Sequence, residues 1–252
     1  MKIEFKKLNK IPRVIALLLL AFVLVLSIYE RFYFEKRALV NFKVGDKVTY
    51  GRYVTDEEFD EYETPIEWIV ADKKDDEYFL VSSYILETKK YNEIYESCDW
   101  TNCSLRKWLN EDFYINSFND EEKKFMVVQK TNIKKYATTS EINNERLITT
   151  EKVSLLSSED VSTFLKPLSL ENTSSTMYAR KDGLLIFNMF DFYSFYWLKE
   201  NGYDDKMALY EKPYGDRYIS AFGIAVDTDY IGVRPTIRVK NNKGLKSINA
   251  KR

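Results

Sequence analysis

Histidine is absent from the 252-residue sequence. That removes the Ser-His-Asp and Cys-His nucleophile systems, His-ligated zinc and any imidazole acid–base pair. Chemistry would fall to carboxylates, Lys, Tyr or Ser, which favours binding over catalysis. The two cysteines, Cys98 and Cys103, lie in Cys98-Asp-Trp-Thr-Asn-Cys103. Two thiols without further ligands are too few for zinc. A disulfide across the short loop and two unpaired thiols in a small core pocket both remain open. Asp227-Thr228-Asp229, with Asp204-Asp205 upstream, offers oxygen ligands of the kind calcium takes, although no EF-hand pattern is present and turn aspartates are common. No other cofactor is expected. Paired carboxylates could serve a glycosidase, but Asp and Glu are too abundant for one pair to stand out.

The most unusual stretch runs Phe187-Asn188-Met189-Phe190-Asp191-Phe192-Tyr193-Ser194-Phe195-Tyr196-Trp197. Read as one strand, alternation puts Phe187, Met189, Tyr193, Phe195 and Trp197 on one face, with Phe190, Phe192 and Tyr196 on the other. Aromatics on both faces predict burial. The functional reading is a ring platform for a sugar, with Tyr193, Tyr196, Trp197, Asp227 and Asp229 as candidate ligand-binding residues. Arg234, in Gly232-Val233-Arg234-Pro235, and Arg106 are expected to be structural, each paired with a carboxylate or backbone carbonyls. Trp108 and Leu109 are expected in the core at helical spacing.

The elements that must position these residues begin with an uncharged run, Val14 to Tyr29, covering roughly 24 Å as a helix. Lys2, Lys6, Lys7, Lys10 and Arg13 precede it, so the positive-inside rule puts the N-terminus in the cytoplasm. No small-residue cleavage pattern closes the run, which predicts a retained signal anchor. The expected organisation is a cytoplasmic tail (1–13), a transmembrane helix (14–29), a juxtamembrane spacer (30–42), an extracytoplasmic globular domain (43–239) and a polar tail (240–252) that frays. The localisation that follows is the cell membrane, single-pass.

Within the domain, Ile66–Val70 and Tyr78–Val81 flank a charged turn at Lys73 to Asp76 and predict a β-hairpin. Thr55 to Thr64 reads as an acidic loop and Thr138 to Glu145 as a polar one. Ser104 precedes a Leu105, Trp108, Leu109 stripe as a helix N-cap. Asn119 to Glu122 and Ser157 to Asp160 resemble capping boxes, the second with Pro167 just beyond its helix. Short strands are expected at Phe187–Trp197, Met207–Tyr210, Tyr218–Phe222, Ile224–Val226 and Val233–Val239. The class predicted is α+β, with helices early and antiparallel strands late. Charge is dense in both signs and nets to −1 with no basic patch, which disfavours nucleic acid.

Several segments together resemble a bacterial family numbered 6273 among the domains of unknown function. They are Val44-Gly-Asp-Lys-Val-Thr-Tyr-Gly51, Pro65-Ile-Glu-Trp-Ile-Val70 and Trp100-Thr-Asn-Cys-Ser-Leu-Arg-Lys-Trp-Leu-Asn110, closing with Trp197-Leu-Lys199 and Tyr230-Ile-Gly-Val-Arg-Pro235. The resemblance covers roughly residues 44 to 239. Lys199 stands where Arg is expected, and Glu200-Asn201 replaces the usual Ser-Pro. The closing layout is also similar to formylglycine-generating-type and C-type-lectin-like domains, which implies a lectin-like fold. With no cysteine after Cys103, it implies no formylglycine-type oxidase activity. The expected function is a membrane-anchored extracytoplasmic binding module, with a surface glycan or another membrane protein as partner and the membrane held through Val14 to Tyr29. The alternatives are a carboxylate-dependent glycan-processing enzyme and a structural subunit of a membrane complex.

Overall fold

Alternating apolar residues with turn formers between them produce strands along the whole chain beyond residue 42. The computed structural model describes residues 11–37, 40–54, 63–136, 145–214 and 222–248. The chain divides into two units, Met1–Asn41 and Phe42–Arg252. The acidic loop expected at Thr55–Thr64, the polar loop at Thr138–Glu145 and the strand at Tyr218–Phe222 fall largely outside the described residues.

The first unit holds one helix, Ile11–Arg37. Its side chains are described without a break over 17–30, where all are exposed. No helix among the described residues is long and apolar enough to cross a membrane. The assignment of Val14–Tyr29 as a transmembrane signal anchor is corrected accordingly. The single-pass membrane localisation and the extracytoplasmic placement that depended on it are withdrawn with it.

The second unit is mostly β-sheet with a few short helices, which corrects the α+β class. Its first strands are β1 (Lys47–Tyr53), β2 (Thr64–Lys74), β3 (Glu77–Ser82) and β4 (Glu87–Thr88). After a helical stretch come β5 (Met126–Val127), β6 (Gln129–Lys134), β7 (Arg146–Glu151) and β8 (Val153–Ser154). The C-terminal part adds β9 (Ile186–Asn188), β10 (Tyr193–Ser194), β11 (Tyr196–Asn201) and β12 (Met207–Glu211). It closes with β13 (Ile224–Ala225), β14 (Gly232–Val233), β15 (Thr236–Lys240) and β16 (Lys246–Ser247).

The large antiparallel sheet has the order β16-β1-β2-β3-β15-β5, with β8 also paired to β15. A second sheet, β13-β12-β11-β14-β4, contains one parallel pair, β11 with β14. β6–β7 and β9–β10 are separate two-stranded hairpins. The tail expected to fray does not do so through Ser247. Leu245 is buried, and Lys246 and Ser247 pair with Thr49 and Val48. A lone leucine in a basic stretch carries little periodic signal, yet its burial closes one edge of the sheet.

The helices are short because their apolar stripes are short. Cys103, not Ser104, is the N-cap of the helix Ser104–Trp108 and makes no side-chain cap bond, while the Ser104 hydroxyl accepts from the Glu93 amide. A π-turn over Leu109–Phe113 follows directly. Leu109 is buried, but Trp108 is only half-buried, with the Lys89 ammonium 4.7 Å from its ring centroid. The helix Asp120–Phe125 starts in a full capping box between Asn119 and Glu122. Ser157 and Asp160 form a second, and Pro167 lies inside the 3-10 turn Lys166–Leu168 that continues it.

Three tryptophans, Trp68, Trp100 and Trp197, anchor the main core. Each indole N–H finds an acceptor: the Tyr50 carbonyl at 2.7 Å, the Glu151 carboxylate at 3.1 Å and the half-buried Lys89 carbonyl at 2.7 Å. A second core joins Ala71, Phe79 and Val81 of the large sheet to Val161, Leu165, Leu198 and Leu209.

Candidate functional site

The 187–197 stretch is not one strand. Asn188 and Asp191 break it into a hairpin whose arms are β9 and β10, after which the chain continues into β11. The Asn188 Oδ1 accepts the Phe190 amide at 2.8 Å, an Asx-type turn that a strand cannot hold. Phe192 sits at φ 53°, left-handed and costly for a bulky residue. What holds it there is local. The Ser175 amide and hydroxyl both donate to the Phe192 carbonyl, and the Arg180 guanidinium lies 4.2 Å from its ring centroid. The Ser174 hydroxyl adds a 2.6 Å bond to the Asp191 carbonyl.

This hairpin and Tyr214 build an exposed aromatic surface. The Tyr193 and Tyr214 rings are 5.5 Å apart at 52°, and Phe187 and Tyr214 are 6.1 Å apart at 44°, so the rings form a bent rather than flat face. Phe187 is 45% exposed and Tyr214 54%. Phe187 in turn packs edge-on against Phe195, and Phe195 against Tyr210. Tyr214 also adopts a left-handed backbone, φ 52°, with its amide held at 2.8 Å by the Asn172 side chain.

Polar groups converge beside these rings. The Tyr214 hydroxyl donates to Asp191 Oδ2 at 3.3 Å, and Asn188 Nδ2 lies 3.2 Å from that oxygen and 3.3 Å from the hydroxyl. Burial first, then the Asp191 carboxylate, raise the Tyr193 hydroxyl, so it stays a protonated donor at neutral pH. The site thus offers ring faces, a carboxylate acceptor, an amide and phenol hydroxyls within one small area.

The other residues named from the sequence lie elsewhere. Tyr196 and Trp197 are 1% and 0% exposed, so neither can form part of a ligand platform. Tyr196 donates to the Glu171 carbonyl and packs under Arg234, whose Cζ is 5.2 Å from its ring centroid. Arg234 is itself buried and donates to the carbonyls of Ser82 at 3.0 Å and Leu170 at 2.9 Å. Arg106 pairs at 3.2 Å with buried Glu151 and reaches the Thr150 carbonyl. Burial alone would raise the Glu151 carboxyl, but hydrogen bonds from Thr131 and Trp100, with the Arg106 charge, outweigh it and hold it below the usual range.

Asp227 and Asp229 sit at the turn after β13, remote in sequence from the hairpin. Asp229 borders a separate cleft of about 360 Å³ with Lys89, Lys90, Glu93 and Asp182. Asp205 is engaged with Lys135 and Tyr136, and Asp204 caps the Lys206 amide. Among the described residues no group of three or more His, Cys, Asp or Glu side chains could hold a metal ion. Cys98 and Cys103 are both buried and unpaired, and burial pushes each thiol up to about 12. Neither is a thiolate at neutral pH.

Sequence reasoning singled out Tyr193 but missed Phe187, Asn188, Asp191 and Tyr214 as parts of one surface. The turn formers Asn188 and Asp191, three apart inside an apolar run, were the available signal. Tyr214 had none, because its contact with the hairpin is entirely tertiary.

A family model described as a domain of unknown function (DUF6273) matches residues 75–241. The match begins after the Val44–Gly51 and Pro65–Val70 segments and takes in the whole hairpin, Tyr214 and Arg234. No curated protein matches the chain, and no solved structure does. The lectin-like likeness expected from the closing residues is not shown by these comparisons.

Proposed function

This chain belongs to the DUF6273 family, and from that premise we propose that its Phe42–Arg252 unit is a binding module that holds a carbohydrate on the Phe187–Tyr193–Tyr214 surface. The observation that carries the reading is the exposed, bent ring surface with Asp191, Asn188 and two phenol hydroxyls at its side. A sugar presents an apolar C–H face and a rim of hydroxyls. Rings take the first at small entropic cost, and a carboxylate–amide pair takes the second.

A hydrolase would need two carboxylates facing each other across a cleft. Among the described residues Asp191 is the carboxylate bonded to the Tyr214 hydroxyl, whereas Glu211 is only 5% exposed. The geometry favours binding without turnover.

The test is retention of the purified protein on insoluble polysaccharides such as peptidoglycan, chitin and cellulose. Phe187→Ala and Tyr214→Ala should each weaken retention by about tenfold, since a stacked ring contributes about 0.5–1.5 kcal/mol beyond its buried area. Asp191→Asn should weaken it less. Soluble product accumulating over time would favour the hydrolase alternative. Retention that ignores all three substitutions would move the ligand off this surface.

A further inference from the structure

A cleft lies at the β16-β1-β2 end of the large sheet, lined also by Ser175 and Thr176. Its floor follows from strand register. Thr49 pairs with Lys246 on one side and with Glu67 on the other, so the three side chains stand in one row on one face. Two pleats along β2 from Glu67, Ala71 is covered by the second core. Toward β16 that cover stops, and a cleft of about 560 Å³ opens over the row.

Its walls are largely apolar: Pro65, Ile66, Tyr84, Leu86 and Ile248. Among the described residues that line it, the charges are one carboxylate, Glu67, and one ammonium, Lys246. Neither side chain has an ion pair or hydrogen bond with any described residue, and the same holds for the hydroxyls of Thr49 and Ser247. Burial first, and then the Glu67 charge, raise the Tyr84 hydroxyl, which remains a protonated donor beside that carboxylate.

We propose that this cleft binds a short peptide with free termini, its ammonium at Glu67 and its carboxylate at Lys246. The charge arrangement is that of a zwitterion's complement, with hydroxyls between the two ends and apolar walls for side chains. The backbones carrying Glu67 and Lys246 are two strand spacings apart, about 10 Å. Extended chain advances ~3.3–3.6 Å per residue, and each charged end adds a hydrogen bond of about 2.8 Å, so the span suits one or two residues and not three. Ligand pockets commonly enclose about 300–1,000 Å³, which includes a volume of this size. The proposal does not rest on the carbohydrate reading, because Glu67 and Lys246 take no part in that surface, although Ser175 lines the cleft and also holds the Phe192 carbonyl.

The experiment titrates the full chain calorimetrically with leucyl-leucine and alanyl-alanine, then with their N-acetyl and C-amide forms. Free peptides should bind, and capping either end should weaken binding at least tenfold. In Glu67→Gln the free and N-acetylated peptides should become equivalent. In Lys246→Gln the free acid and the amide should become equivalent. Both side chains are partly or fully exposed, so melting curves should stay close to those of the parent protein. If either variant fails to fold, the capping series on the unaltered protein decides alone. Absence of binding by the free peptides at millimolar concentration overturns the proposal. So does binding indifferent to the caps, or a cap effect that survives both substitutions.

Discussion

Glu211 shows how much one buried side chain can impose. The residue is 5% exposed, and its Oε2 has no hydrogen-bond partner among the described residues. Burial pushes its pKa to about 7 from 4.5, with Glu171 adding to the rise and Lys166 and Arg234 opposing it. Below pH 4.5 the folded and unfolded chains both hold this proton. Between 4.5 and 7 the unfolded chain releases it while the folded chain keeps it, so the stabilisation is lost as pH rises through 7. The loss amounts to on the order of 3 kcal/mol. Burial raises Glu87 and Glu200 in the same sense, whereas the lowered Glu151 acts oppositely at acid pH. Glu211→Gln should therefore match the parent protein near pH 5 and exceed it at pH 8, narrowing the difference in Tm between the two. An unchanged pH slope in the variant would place the titrating group elsewhere.

Among the elements, the helix Asp120–Phe125 is tied to the sheet by the residue that caps it. Glu122 accepts the Asn119 amide at 3.0 Å with one carboxylate oxygen and the Gly51 amide at 3.1 Å with the other. Its carbonyl also accepts the Tyr50 hydroxyl at 2.6 Å. Gly51 is needed here: at φ +71° a Cβ would lie 2.6 Å from the Phe118 ring. Asn119→Ala should cost about 1 kcal/mol, as an ordinary cap does. Glu122→Ala should cost about 2 kcal/mol, because it also orphans a strand amide. Urea midpoints at unchanged slope measure both, and equal costs would mean that the Gly51 bond contributes nothing. The capping boxes at Asn119 and Ser157 were legible in the sequence because cap chemistry is local, needing a side chain and an amide three residues apart. The β2–β3 hairpin was legible for the same reason, since alternation flanks a charged turn and Asp75 takes the left-handed backbone there. The 187–197 stretch was misread because ring content outweighed the turn chemistry of Asn188 and Asp191. The placement of Tyr214 and the pairing of β16 could not be read at all, because both depend on contacts distant in sequence.

For the Phe42–Arg252 unit as a whole, stability should be uneven in a way that bears on the carbohydrate surface. β3 lies between β2 and β15, is hydrogen-bonded on both sides, and places Leu80 and Val81 at full burial. Its amides can exchange only when the large sheet opens. The β9–β10 hairpin is its own two-stranded sheet, with Met189 and Phe190 at its tip 70% and 94% exposed. It is fastened chiefly by the Ser174 and Ser175 bonds to Asp191 and Phe192. Isolated hairpins are marginal in water, so local opening there should cost far less than global unfolding. Native-state hydrogen exchange should rank β3 and β15 slowest and residues 186–194 among the fastest. A sugar seated on Phe187, Tyr193 and Tyr214 would bridge the hairpin to the segment carrying Tyr214. It should then slow exchange at 186–194 by the factor that its concentration and Kd set, while leaving β3 nearly unchanged unless the sheet exchanges through global unfolding. Two results would count against the surface as the binding site. One is a hairpin already as protected as β3 in the free protein. The other is saturating polysaccharide that leaves exchange at 186–194 untouched.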